Sequence, residues 1–245
     1  MTQVDLLAFG PHPDDIEIGL AGTIAVHTAM GLRAGLCDLT RGELGSNGTP
    51  EQREAEGEAA RAVLGAAWRT NLRWPDGGIT GGNEQIADVV RLVRQCRPRT
   101  VALPYWDDRH PDHRAASDVL AQAIFRSGLR RFQVDGADGA EPWKPEWICY
   151  YFINDSVAPS FAVDVSAQYH KKREALACHR TQFTPVEPLR VDTRLTSPRF
   201  RQLIESRDGH LGALTGVEFA EGLVVKEPLL RPHAFRAWDS RVTSA

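Results

Sequence analysis

The feature that most constrains this chain is a regular alternation of short apolar runs with longer helix-patterned segments over its first 130 residues. Val4–Phe9 is an apolar run closed by Gly10-Pro11, the pattern of a buried strand. Ile16–Met30 carries apolar residues at helical spacing, and Gly31 stops it. The pattern repeats: strand at Arg33–Leu39 with helix at Glu51–Leu64, strand at Thr70–Trp74 with helix at Asn83–Cys96, strand at Thr100–Pro104 with helix at His113–Arg126. Consecutive βα units connect in one hand and build a parallel sheet covered by helices. The expected fold is therefore α/β, a single Rossmann-like, doubly wound and mostly parallel sheet with helices on both faces. The domain is expected to span residues 1–245, with a tail from about 232.

Beyond Ser127 the pattern loosens. Glu146–Ile153 and Phe161–Val165 read as strands, with an exposed loop before them at 135–145. Ser166–His179 reads as a helix capped by Ser166, and Ser197–Gly209 as another; Pro185, Pro188 and Pro198 break the stretch between. Within the first of these helices, Lys171-Lys172-Arg173 reads as a solvated face.

Charge narrows the function classes. The 29 Lys and Arg stand against 32 Asp and Glu, a net charge of −3, so no basic excess exists to neutralise phosphates and nucleic acid is not an expected partner. No segment approaches the roughly 18 consecutive apolar residues of a membrane span, and the N-terminus has no charged and apolar leader, so no membrane partner is expected and the expected location is cytoplasmic. Cys37, Cys96, Cys149 and Cys178 lie far apart, with no CxxC pair, and read as inert thiols.

Two loops concentrate the chemistry. Gly10-Pro11-His12-Pro13-Asp14-Asp15 follows the first strand, and Asp107-Asp108-Arg109-His110-Pro111-Asp112-His113 follows the fourth. In a doubly wound sheet of order 3-2-1-4 these strands are neighbours, and ligands bind in the crevice at their carboxyl ends. The loops thus converge although roughly a hundred residues separate them. Taken singly, each has a plainer explanation: Pro-Asp-Asp caps a helix well, and His-Pro-Asp-His can be a polar helix entry. Together they gather more hard-to-bury groups than capping requires. His12, Asp15 and His113 form the two-imidazole, one-carboxylate set of a catalytic zinc with an open position, one ion per subunit, and Fe(II) tolerates the same set. Asp14 and His110 then remain beside the metal as candidate base and acid.

These residues resemble the LmbE-like, PIG-L-type N-acetylglucosaminyl deacetylases. The likeness extends to Thr40-Arg41-Gly42-Glu43-Leu44-Gly45, to Glu51 with Arg53, to Pro75-Asp76-Gly77, and to Gly212-Ala213-Leu214-Thr215-Gly216 through Ala220-Glu221-Gly222. It runs from residue 4 to about 225, nearest to the bacillithiol-biosynthesis deacetylases that act on N-acetylglucosaminyl-malate. The resemblance implies that His12, Asp15 and His113 hold the metal, that Asp14 takes a proton from the attacking water, and that His110 stabilises or protonates the collapsing tetrahedral intermediate. It implies a small amino-sugar substrate contacted by Arg53 and Asp76, with Glu43 and Arg109 as further candidates, and homo-oligomers, hexamers among them. The chain departs from the family where a Tyr often precedes the late Gly-rich segment. His210 stands in that stretch and is the candidate substitute. The His179-Arg180-Thr181-Gln182 segment also resembles a recurring family segment, with no physical role evident from sequence.

Three rival readings fit less well. A nucleotide-binding Rossmann module needs a Gly-rich turn after the first strand, where this chain puts carboxylates that repel phosphate. A two-metal phosphoesterase needs more ligands, and a structural metal site needs a fourth Cys or His. Among deacetylases, another N-acetylated sugar such as N-acetylglucosamine or a chitooligosaccharide remains the alternative substrate.

Overall fold

The computed structural model describes residues 2–134, 141–184 and 191–230. The expected tail, Pro185, Pro188 and most of the expected 135–145 loop lie outside the described residues. Strands β1 (Leu6–Gly10), β2 (Ala34–Thr40), β3 (Trp68–Trp74), β4 (Thr100–Pro104), β5 (Trp147–Tyr151), β6 (Phe161–Asp164) and β7 (Ala220–Val224) form one sheet in the order β3-β2-β1-β4-β5-β7-β6. The first five are parallel; β7 runs antiparallel to β5 and to β6. The order reverses between β1 and β4, as the two-loop reading requires.

Helices α1 (Asp15–Ala29), α2 (Pro50–Leu64), α3 (Asn83–Cys96), α4 (Pro111–Ser127), α5 (Tyr169–Cys178), the single turn α6 (Arg180–Phe183) and α7 (Pro198–Thr215) surround the sheet. Side chains of a strand alternate between faces, so β1 feeds two cores. Leu7 and Phe9 pack with Val89, Val93 and Leu120 of α3 and α4. Leu6 and Ala8 pack with Ile16, Leu20, Ile24 and Leu64 of α1 and α2. Both faces of β1 are thus apolar, and its carboxyl end leads into the first of the two loops.

Three sequence expectations change. The segment Ser166–His179 divides into a 3-10 turn at Ser166–Gln168 followed by α5. The last helix runs six residues further than expected, to Thr215, and β7 follows it as a strand the sequence reading did not contain. Lys172 is not on a solvated face. Its side chain is fully buried, with Nζ 2.7 Å from Asp208 Oδ2 and 2.6 Å from Glu221 Oε1. Glu221 also accepts from the amides of Gly22 and Thr23, so this buried group ties α1, α5, α7 and β7 together. The cysteines are free, and burial pushes the Cys96 and Cys149 thiols up to about 12, which keeps them protonated and unreactive.

Candidate active site

The β1–α1 and β4–α4 loops meet at the reversal point of the sheet. Asp15 Oδ2 is the hub: it accepts from the His12 amide at 2.9 Å, and lies 3.0 Å from His12 Nδ1 and 3.3 Å from His113 Nε2. These three side chains are buried, and their ligand atoms lie within 4.8 Å of one another.

The far nitrogen of each imidazole is held by a carboxylate. His113 Nδ1 lies 3.1 Å from Asp108 Oδ1. His12 Nε2 lies 3.2 Å from Asp76 Oδ1 and 3.3 Å from Asp112 Oδ2. A carboxylate on one ring nitrogen fixes the proton there and leaves the other nitrogen's lone pair for a metal. Both lone pairs then face Asp15, so the donor set suits a divalent cation. A second grouping, His12, His110 and Asp112, includes the carboxylate that already lies against His12 Nε2.

The field agrees with the donors. Burial lowers the pKa of His12 and His113, yet their carboxylate neighbours reverse this, raising His12 well above its usual value and His113 to about 9. Burial alone would raise Asp15, but His113 and His12 hold it well below the usual carboxylate range. The cluster therefore favours positive charge at the nitrogens that face Asp15, whether carried by protons or by a metal.

Asp14 stands apart from this cluster. It occupies the N-cap position of α1 but makes no capping bond, so the plain helix-cap reading does not describe it. Its Oδ2 is buried with no hydrogen-bond partner among the described residues. Burial raises its pKa to about 6; Arg53 at 3.5 Å opposes the rise and Asp15 adds to it. His110 caps α4 through Nδ1, which accepts from the Asp112 amide at 3.2 Å. That bond puts the proton of the neutral ring on Nε2. Burial and the nearby charges of His113 and His12 lower its pKa, which also favours the neutral form.

Other candidates divide by position. Arg53, expected to contact sugar or aglycone, lines the pocket but is mostly buried, and donates Nη2 to Pro13 O at 2.6 Å and Nη1 to Gly42 O at 3.1 Å. Asp76 lines the pocket, its carboxylate held with Oδ1 against His12 and Oδ2 accepting from the Leu44 amide at 3.0 Å. Glu43 accepts from the Asp76 amide at 2.9 Å and braces that turn. Arg109 lines the pocket and is exposed. His210 is exposed on α7 and is not among the lining residues, so the structure does not bring it to the other candidates.

Sequence reasoning missed Asp108, Asp112 and Asn154. The two aspartates sit two residues either side of His110, within the loop already singled out, and that spacing was the available signal. Asn154 follows β5 and bonds Asp108 through its amide and Nδ2, each at 3.0 Å; nothing near it in sequence marks it. Gln182, of the segment without an assigned role, lines the pocket and binds the Asn47 carbonyl at 2.8 Å. The pocket over these residues has a volume of about 460 Å³, within the range of small-molecule sites. Arg109 and Arg194 are exposed at its wall, beside the exposed Leu44.

The family model of GlcNAc-PI de-N-acetylase, PIG-L, matches residues 7–124, the part that contains both loops. A diacetylchitobiose deacetylase from Thermococcus kodakarensis is 29% identical over 229 residues, covering 89% of this chain and 81% of that protein. A 1D-myo-inositol 2-acetamido-2-deoxy-alpha-D-glucopyranoside deacetylase from Saccharomonospora viridis is 28% identical, covering 71% of this chain and 83% of that one. The crystal structure of the conserved protein TT1542 from Thermus thermophilus superposes with a TM-score of 0.85 at 39% identity, covering 96% of this chain and 100% of that one. The loops, the ligand geometry and these matches agree: the chain belongs to the PIG-L family of de-N-acetylases.

Proposed function

We propose that the protein is a zinc-dependent hydrolase that removes the N-acetyl group from an N-acetylglucosamine conjugate, with N-acetylglucosaminyl-malate of bacillithiol biosynthesis as its substrate. One observation carries the hydrolase reading: two imidazoles aim nitrogens at one carboxylate, and a second buried carboxylate, Asp14, whose Oδ2 has no hydrogen-bond partner among the described residues, stands next to them. The named activities of the relatives support an acetamido sugar. An anionic aglycone is supported by Arg109 and Arg194, two exposed cations at the wall of the pocket. An uncharged N-acetylated sugar is the second reading, favoured by the diacetylchitobiose relative.

His12 Nδ1, an Asp15 oxygen and His113 Nε2 would hold the ion. When bound, such an ion acts as a Lewis acid, polarising the acetamide carbonyl and acidifying water. Asp14 Oδ2 has no hydrogen-bond partner among the described residues, with Arg53 Nη2 at 3.5 Å, and burial raises its pKa to about 6, near the working range of a general base at neutral pH. It accepts the proton of the water whose oxygen attacks the carbonyl carbon. His110 holds its proton at Nε2, from which it donates to the carbonyl oxygen as negative charge develops there. The C–N bond then breaks, the proton held at Asp14 passes to the amine nitrogen, and the amine leaves with acetic acid, which gives up its remaining proton to solvent.

The test joins metal content by mass spectrometry to acetate release from N-acetylglucosaminyl-malate, N-acetylglucosamine and diacetylchitobiose. The proposal expects about one zinc per chain and fastest turnover of the malate conjugate. Preference for a neutral sugar overturns the aglycone assignment alone. No acetate from any of the three, with metal bound, overturns the hydrolase reading.

A further inference from the structure

We propose that Arg53 is a positioning residue that holds the general base in place by pinning the peptide plane before it. The proposal rests on the reading of Asp14 given above. Asp14 is a non-glycine residue at φ 125°, in the left-handed half of backbone space, where L residues are strained. Such a conformation persists only when the surroundings enforce it. The rotation φ of Asp14 is set by where the Pro13–Asp14 peptide plane points, and the carbonyl of that plane is Pro13 O. Arg53 Nη2 donates to that oxygen at 2.6 Å, the shorter of its two backbone bonds.

The guanidinium is itself firmly held. Arg53 lies on the first turns of α2, which starts with a complete capping box between Thr49 and Gln52. Its Nη1 is clasped by the Gly42 carbonyl. Gly42 has φ +66°, and a Cβ there would lie 1.8 Å from Nη1, so the 41–49 loop fits over Arg53 only with glycine at that position. The geometry runs as a chain from α2 through Arg53 to Pro13 O, and from there to the backbone of Asp14. Its outcome is a carboxylate turned away from capping, with Oδ2 buried, unbonded, and 3.5 Å from the same guanidinium. Arg53 also lines the pocket, and a role limited to binding substrate is the rival that kcat and KM tell apart.

Two readouts test this. The first is the crystal structure of zinc-loaded Arg53→Ala: Asp14 is expected to relax to negative φ while His12, Asp15 and His113 keep the metal. Asp14 remaining near φ 125° in that variant overturns the proposal, whatever the activity. The second is a double-mutant cycle with Asp14→Asn. Arg53→Ala is expected to lower kcat by about 10²-fold in the wild-type background, the scale of a misplaced catalytic group, with KM changed less than about twofold. In the Asp14→Asn background it is expected to cost almost nothing further, because Arg53 acts through Asp14. A raised KM with kcat preserved assigns Arg53 to substrate binding, and equal losses in both backgrounds assign it to general stability; either overturns the proposal. Should Arg53→Ala not fold, Arg53→Lys and Arg53→Gln serve for both readouts. Lys keeps one donor for Pro13 O and is expected to retain more activity than Gln, and the reverse order overturns the proposal. Wild-type protein releasing no acetate defeats the functional reading instead, and the backbone readout then decides the Arg53 assignment alone.

Discussion

Replacing Asp108 should weaken metal binding although Asp108 is not a ligand. Its Oδ1 lies 3.1 Å from His113 Nδ1 and accepts from the His110 amide at 2.8 Å and Asn154 Nδ2 at 3.0 Å; its Oδ2 accepts from the Asn154 amide at 3.0 Å. Burial would raise its pKa, but His113 and the two amides hold it down at about 2, so it stays charged through the neutral range. Asp108→Ala removes the group that keeps the His113 proton on Nδ1, and it orphans buried donors in the loop that carries His110. Loss of such a partner typically costs 10–100-fold in metal affinity, about 1.4–2.7 kcal/mol. Asp108→Asn should fall at the tenfold end. Asparagine still offers one oxygen to His113, but its amide must face one of the donors that both carboxylate oxygens now accept. The assay is zinc competition against a chelating dye on folded metal-free protein, with exposed Asp107→Ala as control. A zinc Kd for Asp108→Ala within about twofold of wild type, in a correctly folded variant, would refute the argument that this carboxylate orients His113.

Four further outcomes are expected. Asp14→Asn should keep full zinc occupancy and lose about 10²–10⁴-fold in kcat; a metal-free variant, or an active one, removes Asp14 from the role of base. Arg109→Ala should lower kcat/KM for the malate conjugate by about 10–150-fold and change a neutral N-acetylglucosaminide much less, because a charge-assisted bond contributes about 1.5–3 kcal/mol; an unchanged ratio of the two discards it. Lys172→Met should destabilise by about 3–5 kcal/mol, because it strands buried Glu221 without its cation and leaves Asp208 only Arg207, and should lower Tm by about 6–20 °C in calorimetry; a shift under about 3 °C contradicts that account. Burial would raise the pKa of Glu17, but Arg69 and His179 depress it to about 2, so its stabilising effect is complete above about pH 4.5 and fades as pH falls toward 2. Wild type should therefore lose about 3 kcal/mol relative to Glu17→Gln across that window, read by urea unfolding of metal-free protein, and parallel curves would contradict it.

Much of the fold was legible because its signals are local. Strands at 6–10, 34–40 and 100–104 are short apolar runs bounded by Gly or Pro or set between helices, and the βα alternation sets their order in the sheet. The convergence of the two loops followed from that order. What escaped the sequence reading depends on distant pairing. Strand β7 reads Ala-Glu-Gly-Leu-Val and carries a fully buried charge, which no local pattern excuses. Its excuse is Lys172, 49 residues away, and Lys172 in turn sits in a basic run that looks solvated. Arg53 shows the same limit. Its residue type suits a pocket wall or a buried clamp equally well; it lines the pocket, and only the path of the 41–49 loop over it reveals the clamp.

The same logic explains why the site sits where it does and why it needs a cation. Asp14, Asp15, Asp76, Asp108 and Asp112 gather at the strand ends, and Arg53 is the arginine in contact with them. Burial penalises every one of these carboxylates, so their charge must be balanced nearby. Backbone amides at Leu44, Gly77, His110 and Asn154 offset part of it by pointing at Asp76, Asp112 and Asp108. The rest falls on His12 and His113, the groups through which positive charge enters. The order reversal between β1 and β4 opens a crevice at their carboxyl ends, where the two loops carry these groups. Fold and charge thus act in sequence: the strand order brings the carboxylate-bearing loops to one edge, and the field they set on His12 and His113 suits that edge to a divalent ion.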